Sequence, residues 1–123
     1  MCSKGVYLAK LYFRYGTMGS AKTLNLLAVA HTYQQQGRRV LLVKPSMDDR
    51  FGAEKIQSRA GLVKEADVLL TSGDSLSKSQ YQGIDCILVD EVQFLEPKQI
   101  EQFREISTED NIPVICYGLR TDF

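Results

Sequence analysis

The chain has 123 residues, and its 15 lysines and arginines balance 15 aspartates and glutamates. Zero net charge leaves no long-range field to gather nucleic acid or an anionic membrane surface, so any anion must be held by local geometry. The apolar runs reach roughly a quarter to a half of a bilayer span and Met1 leads into no signal-peptide core, so a single soluble, cytoplasmic domain is expected.

Leu11 to Tyr15 reads as a first β-strand, and it runs into Gly16–Thr23, G-T-M-G-S-A-K-T. This stretch matches the phosphate-loop pattern G-x-x-x-x-G-K-[ST] at every fixed position except Ala21. In such a loop, Gly16, Thr17, Met18, Gly19, Ser20 and Ala21 turn successive N–H groups toward an anion, and a helix beginning near Lys22 adds its positive end. Lys22 would reach the β and γ phosphates, and the Thr23 hydroxyl would bind Mg²⁺. Should position 21 need positive φ, its methyl costs on the order of 1 kcal/mol and some affinity. Taken alone, the segment is also compatible with an ordinary strand-turn-helix.

Leu26, Val29, Ala30 and Tyr33 fall at helical spacing within Lys22 to Gln36, and Gly37 is placed to end that helix. Mid-helix His31 is read as structural. Val40 to Val43 is the second strand. The polar stretch between Ser46 and Gly61 is expected to be a ligand-side loop with a short helix near Lys55. It holds Asp48, Arg50 and Arg59. Asp67 to Thr71 is a third strand, followed by the polar connection Thr71 to Gly83 with a weak helix. Cys86 to Asp90 and Pro113 to Gly118 complete five strands. Runs such as V-L-L-V and C-I-L-V are almost wholly apolar, which predicts strands buried on both faces of a parallel sheet. Cys86 and Cys116 lie in such runs and read as small buried hydrophobes; with Cys2 they make an odd, widely spaced set that suits reduced thiols and lacks metal-ligand spacing.

The fourth strand ends in adjacent carboxylates, Asp90 and Glu91. Open parallel sheets bind ligands outside the carboxyl ends of their strands, which places Asp90 near the loop. If both residues stay extended, the two acids point to opposite faces and serve different ends: Asp90 as a Mg²⁺ anchor, Glu91 as a general base. Their other reading is an acidic strand end that caps a helix or meets solvent. Pro97 suits a first helical position, with Leu95 and Ile100 spaced as a hydrophobic staple and Ile100, Phe103 and Ile106 toward the sheet.

Five segments in order then resemble one family: Y-F-R-Y-G-T-M-G-S-A-K-T, K-P-S-M-D-D-R-F-G at 44–52, S-R-A-G-L at 58–62, V-D-E-V-Q-F-L at 89–95 and C-Y-G-L-R-T-D-F at 116–123. Together they resemble the N-terminal part of the type II thymidine kinases. The resemblance implies an α/β fold, a RecA-like P-loop domain with a mostly parallel sheet of about five strands flanked by helices, spanning 1–123. It implies transfer of the ATP γ-phosphate to the thymidine 5′-hydroxyl, in salvage for DNA synthesis. It casts Glu91 as base; Lys22, Thr23 and Asp90 with ATP and Mg²⁺; and Asp48 and Arg50 near the phosphates. Gln93, Met18, Phe94, Leu119 and Phe123 stand at or beside the thymine pocket, although Met18 and Phe94 read equally well as ordinary core.

The family's thymine-enclosing lasso and cysteine-held zinc module have no counterpart in 1–123. On this reading the chain is truncated, binds no zinc, grips thymidine from one side only and is weakly active or inactive. The family's homotetramer is put in question with it. Two other functions fit the loop and the acids: a RecA-like ATPase, in which Glu91 activates water, and a catalytically dead nucleotide-binding remnant. The first gives no reason for K-P-S-M-D-D-R-F-G or C-Y-G-L-R-T-D-F; the second is favoured by Ala21 and the end at Phe123.

Overall fold

Successive residues of a strand point to opposite faces, so a strand apolar at every position needs cover on both sides. Cys86, Ile87, Leu88 and Val89 are each 0% exposed, and the architecture follows from that demand. The computed structural model describes residues 11–16, 19–46, 55–57 and 63–119; within these, residues 15–16, 19–23, 55–57, 63–65 and 119 are described by their backbone alone.

The elements in chain order are β1 (Leu11–Gly16), α1 (Gly19–Gln35), β2 (Val40–Pro45), β3 (Lys55–Gln57), β4 (Val63–Glu65), β5 (Val68–Leu70), α2 (Lys78–Tyr81), β6 (Cys86–Val89), a 3₁₀ turn (Val92–Phe94), α3 (Pro97–Glu109) and β7 (Val114–Leu119). Five strands form one sheet in the order β1-β7-β6-β2-β5, every neighbouring pair parallel. This is the α/β arrangement expected, with strand bounds close to those read from the sequence.

Side-chain alternation divides the core in two. Leu42, Cys86, Leu88, Ile115 and Tyr117 pack with Leu26, Leu27 and Ala30 of α1. Leu41, Val43, Ile87, Val89, Val114 and Cys116 pack on the other face with Phe103 and Ile106 of α3. Both helices present the faces that their spacing predicts; Val29, Tyr33, Leu95 and Ile100 are partly buried at the margins. Cys86 and Cys116 are free and buried. Burial pushes their thiols up, to about 11 and about 12 respectively.

The helix ends follow local chemistry. Gly37 has φ +77, and Arg38 N donates to Tyr33 O at 3.0 Å, the long closing bond of a left-handed helix stop. Asn111, φ 57, turns the chain after α3. At the start of α3, Pro97 holds the first helical position, where its missing N–H costs nothing. Glu96 N donates to Gln99 Oε1 at 2.9 Å.

The loop after β5 is stitched to α3. Buried Gln99 donates to the carbonyls of Thr71 and Asp74 at 2.9 and 3.1 Å. Gln102 accepts from Leu76 N at 2.8 Å and donates to Leu76 O at 2.7 Å. Glu96 accepts from Ser72 Oγ and Gly73 N, and these bonds hold its carboxyl below the usual carboxylate range. The bonds fix the height of α3, and hence of the turn before it.

Lys55–Gln57 is a strand, paired antiparallel with Val63–Glu65, so the short helix expected near Lys55 does not occupy these three residues; 47–54 and 58–62 lie outside the described residues. Three residues around β-branched Ile56, facing Val63 to Glu65, gain cross-strand pairing at once, whereas a helical turn so short bears the full nucleation cost.

Phe103→Ala removes a ring that is 0% exposed, and is expected to lower unfolding free energy by about 3–5 kcal/mol. Urea denaturation followed by far-ultraviolet circular dichroism measures it.

Candidate active site

Because the sheet is wholly parallel, Gly16, Pro45, Leu70, Val89 and Leu119 end their strands at one edge. β7 stands between β1 and β6, so the strand leading to the loop and the strand leading to the acids are about 10 Å apart, two strand spacings. The expected proximity of Asp90 to the loop is thus mediated by β7.

Asp90 is 3% exposed. Its N–H donates to Val43 O at 2.9 Å, prolonging the β2–β6 ladder by one step. Parity with Cys86 and Leu88 sends its side chain to the face that α1 covers. The chain then turns. Glu91 has φ 53 and ψ 45, the left-handed region, which costs a non-glycine residue on the order of 1–2 kcal/mol. The condition that both acids stay extended is therefore not met at Glu91. Its N–H folds back to Asp90 Oδ1 at 2.9 Å, and its Oε1 accepts from Gln93 Nε2 at 2.8 Å. Two carboxylates adjacent in sequence thus occupy different settings, one buried on the sheet face that α1 packs against and one half-buried and steered by an amide. Phe94 closes the 3₁₀ turn and is 51% exposed, a large apolar surface at the ligand edge.

The phosphate-loop segment divides. Gly16 ends β1, while Gly19, Ser20, Ala21, Lys22 and Thr23 form the opening of α1. The helix starts three residues before the Lys22 start expected from the pattern. Ala21 supplies the reason: alanine is the best helix former, and in the glycine's place it lets the first turn wind back into the loop. Position 21 is helical, so the positive φ on which strain at Ala21 depended is not adopted there. The first four N–H groups of a helix lack intrahelical partners, so this end still offers amide hydrogens to an anion. Thr17, Met18, Asp48, Arg50, Arg59 and Phe123 lie outside the described residues, and Leu119 is placed by its backbone alone. Among the described residues no group of three or more His, Cys, Asp or Glu gathers as a metal cage. Asp90, buried at the strand end, is a carboxylate of the kind that Mg²⁺ takes alongside phosphate and water.

Two residues at this edge went unread in the sequence. Tyr117, 1% exposed, donates from Oη to Oδ1 of Asn25 at 3.0 Å. Burial, opposed in part by Arg14, pushes the phenol up to about 12, and Asp90 adds to the rise. The available signal was Asn25 itself, a weak helix former inside a strong helical run.

Comparison with known proteins gives a consistent result. The family profile described as thymidine kinase matches residues 9–123. A thymidine kinase of Idiomarina loihiensis is 44% identical over 120 residues, covering 94% of this chain and 62% of its own length. One from Francisella tularensis is 44% identical over 121 residues, with 94% and 61% covered. One from Escherichia coli O157:H7 is 42% identical over 121 residues, with 94% and 58% covered. The chain therefore spans about three fifths of the length of the curated relatives it matches.

Ala21→Gly is expected to lower folding stability by about 0.5–1 kcal/mol, the cost of glycine inside a helix, measured as a shift of the urea midpoint. Glu91→Gly relieves a left-handed side chain and is expected to leave stability level or raise it by up to about 1 kcal/mol; a loss greater than that in the same titration contradicts the strain at this turn.

Proposed function

The chain belongs to the thymidine kinase family, and from that premise we propose that residues 1–123 make one P-loop nucleoside kinase domain, the ATP-gripping part of an enzyme that moves the γ-phosphate of ATP to the 5′-hydroxyl of thymidine. The observation that carries this reading is the acidic strand end. A buried aspartate under α1 is followed at once by a glutamate turned out of the strand and held by Gln93.

Phosphoryl transfer asks a protein for alignment, charge compensation and one proton acceptor. Gly16 to Thr23 would enclose the triphosphate with main-chain N–H groups, and Lys22 would set its ammonium on the β and γ oxygens. Thr23 and Asp90 would hold Mg²⁺, which when bound offsets charge on those oxygens. Glu91, oriented by Gln93, would take the proton of the attacking hydroxyl. Asp48 and Arg50 would stand near the phosphates; Met18, Phe94, Leu119 and Phe123 would line the base pocket. Half-exposed Phe94 suits that task, since thymine stacked on it would cover apolar surface now in contact with water.

The proposed setting is nucleoside salvage for DNA synthesis in the cytoplasm, with ATP and thymidine as partners. Among the described residues no helix is long and apolar enough to cross a membrane.

The test supplies ATP and Mg²⁺ with each nucleoside in turn. Phosphorylated thymidine, with Glu91→Gln reducing transfer about 10²–10⁴-fold at unchanged ATP affinity, is the expected outcome. ATP hydrolysis indifferent to nucleoside would establish the RecA-like ATPase, and ATP binding without turnover a nucleotide-binding remnant.

A further inference from the structure

The phosphate loop joins a strand to a helix, and both of its ends need anchors if its N–H groups are to converge on an anion. The anchor at the start is the β1–β7 ladder. Arg14, Tyr15 and Gly16 pair with Tyr117, Gly118 and Leu119, so the backbone is fixed up to the first glycine. At the far end the loop has become α1, and Asn25 stands two residues past Thr23. The Oη of Tyr117 reaches Asn25 Oδ1 at 3.0 Å. One strand, β7, thereby holds both ends of the loop.

The same tyrosine faces the acidic strand. Cys116 pairs with Val89, so Tyr117 stands level with Asp90 on the face that α1 covers, and the Asp90 charge acts on its phenol. The phenol is 1% exposed while Asn25 is exposed. A buried hydroxyl without an acceptor is costly, so the tyrosine favours the α1 position that offers Asn25.

We infer that Tyr117 and Asn25 are a positioning pair for the triphosphate: their hydrogen bond sets the opening turn of α1 against the strand that carries Asp90, and through it the fit of the loop to phosphate. The inference rests on the nucleotide-binding reading above. Neither side chain touches the reacting atoms. Other contacts hold the fold without them, since Tyr117→Phe keeps the packed ring and Asn25→Ala raises helix propensity on an exposed face.

The last point separates positioning from plain stabilisation. MgATP affinity is measured by titration calorimetry for the wild-type chain, Tyr117→Phe, Asn25→Ala and the double variant, with circular dichroism establishing the folded fraction of each. The wild type is expected to bind. Each single variant is expected to bind about three- to tenfold more weakly, the worth of one hydrogen bond. Asn25→Ala is expected to do so with its melting temperature level or raised. The double variant is expected to lose no more than a single one, because the two substitutions remove one bond. Wild-type affinity in Asn25→Ala or Tyr117→Phe, or losses that add in the double variant, would overturn the pair while leaving the nucleotide site standing. A folded wild type that binds no MgATP would overturn the nucleotide reading, and this inference with it.

Discussion

Everything at the ligand edge depends on the hydrogen-bonded register between β1, β7, β6 and β2. Parallel ladders have little freedom to slip when both faces are buried, because a shift of one residue would exchange the α1 core for the α3 core at every position. Ile87, Leu88 and Val89 allow no such exchange: the first and third meet Phe103's side and the second meets α1. That constraint carries through to Asp90, whose direction is settled by parity before any ligand is considered. A polar residue thus acquires its place from the apolar ones that precede it.

The turn at Glu91 is where the regular order gives way. A left-handed glutamate persists only if its surroundings over-determine it. Here those are the ladder bond of Asp90 on one side and, on the other, the 3₁₀ turn leading into a helix clasped by Gln99 and Gln102. The clasp lies on residues with no part in the proposed chemistry, yet it bears on the angle at which Glu91 leaves the sheet. Strain at the acid and order in the polar loop are two sides of one arrangement.

Much of this was legible in the sequence, for physical reasons that differ from place to place. The strands declared themselves because burial on two faces leaves unbroken apolar runs. Gly37 and Pro97 marked helix ends because each has backbone properties that few positions can use. The acidic pair was visible as a pair, but its geometry was not, since nothing in D-E says that the second residue will be left-handed. The start of α1 was misread through a motif whose usual glycine, replaced by Ala21, no longer resists winding. The β3–β4 hairpin was hidden because three-residue strands have no periodicity to detect, and Asn25 with Tyr117 because a hydrogen bond between residues 92 apart leaves no local pattern.

The two sulfhydryls at the centre of the sheet have a consequence of their own. With pKa near 11 and 12 they remain protonated at neutral pH, and the thiolate is the form that alkylating agents and peroxide attack. Covered by helices on both sides, Cys86 and Cys116 are silent toward such reagents for as long as β6 and β7 stay paired. Their modification would then report the opening of those two central strands, an event that must uncover residues now 0% exposed.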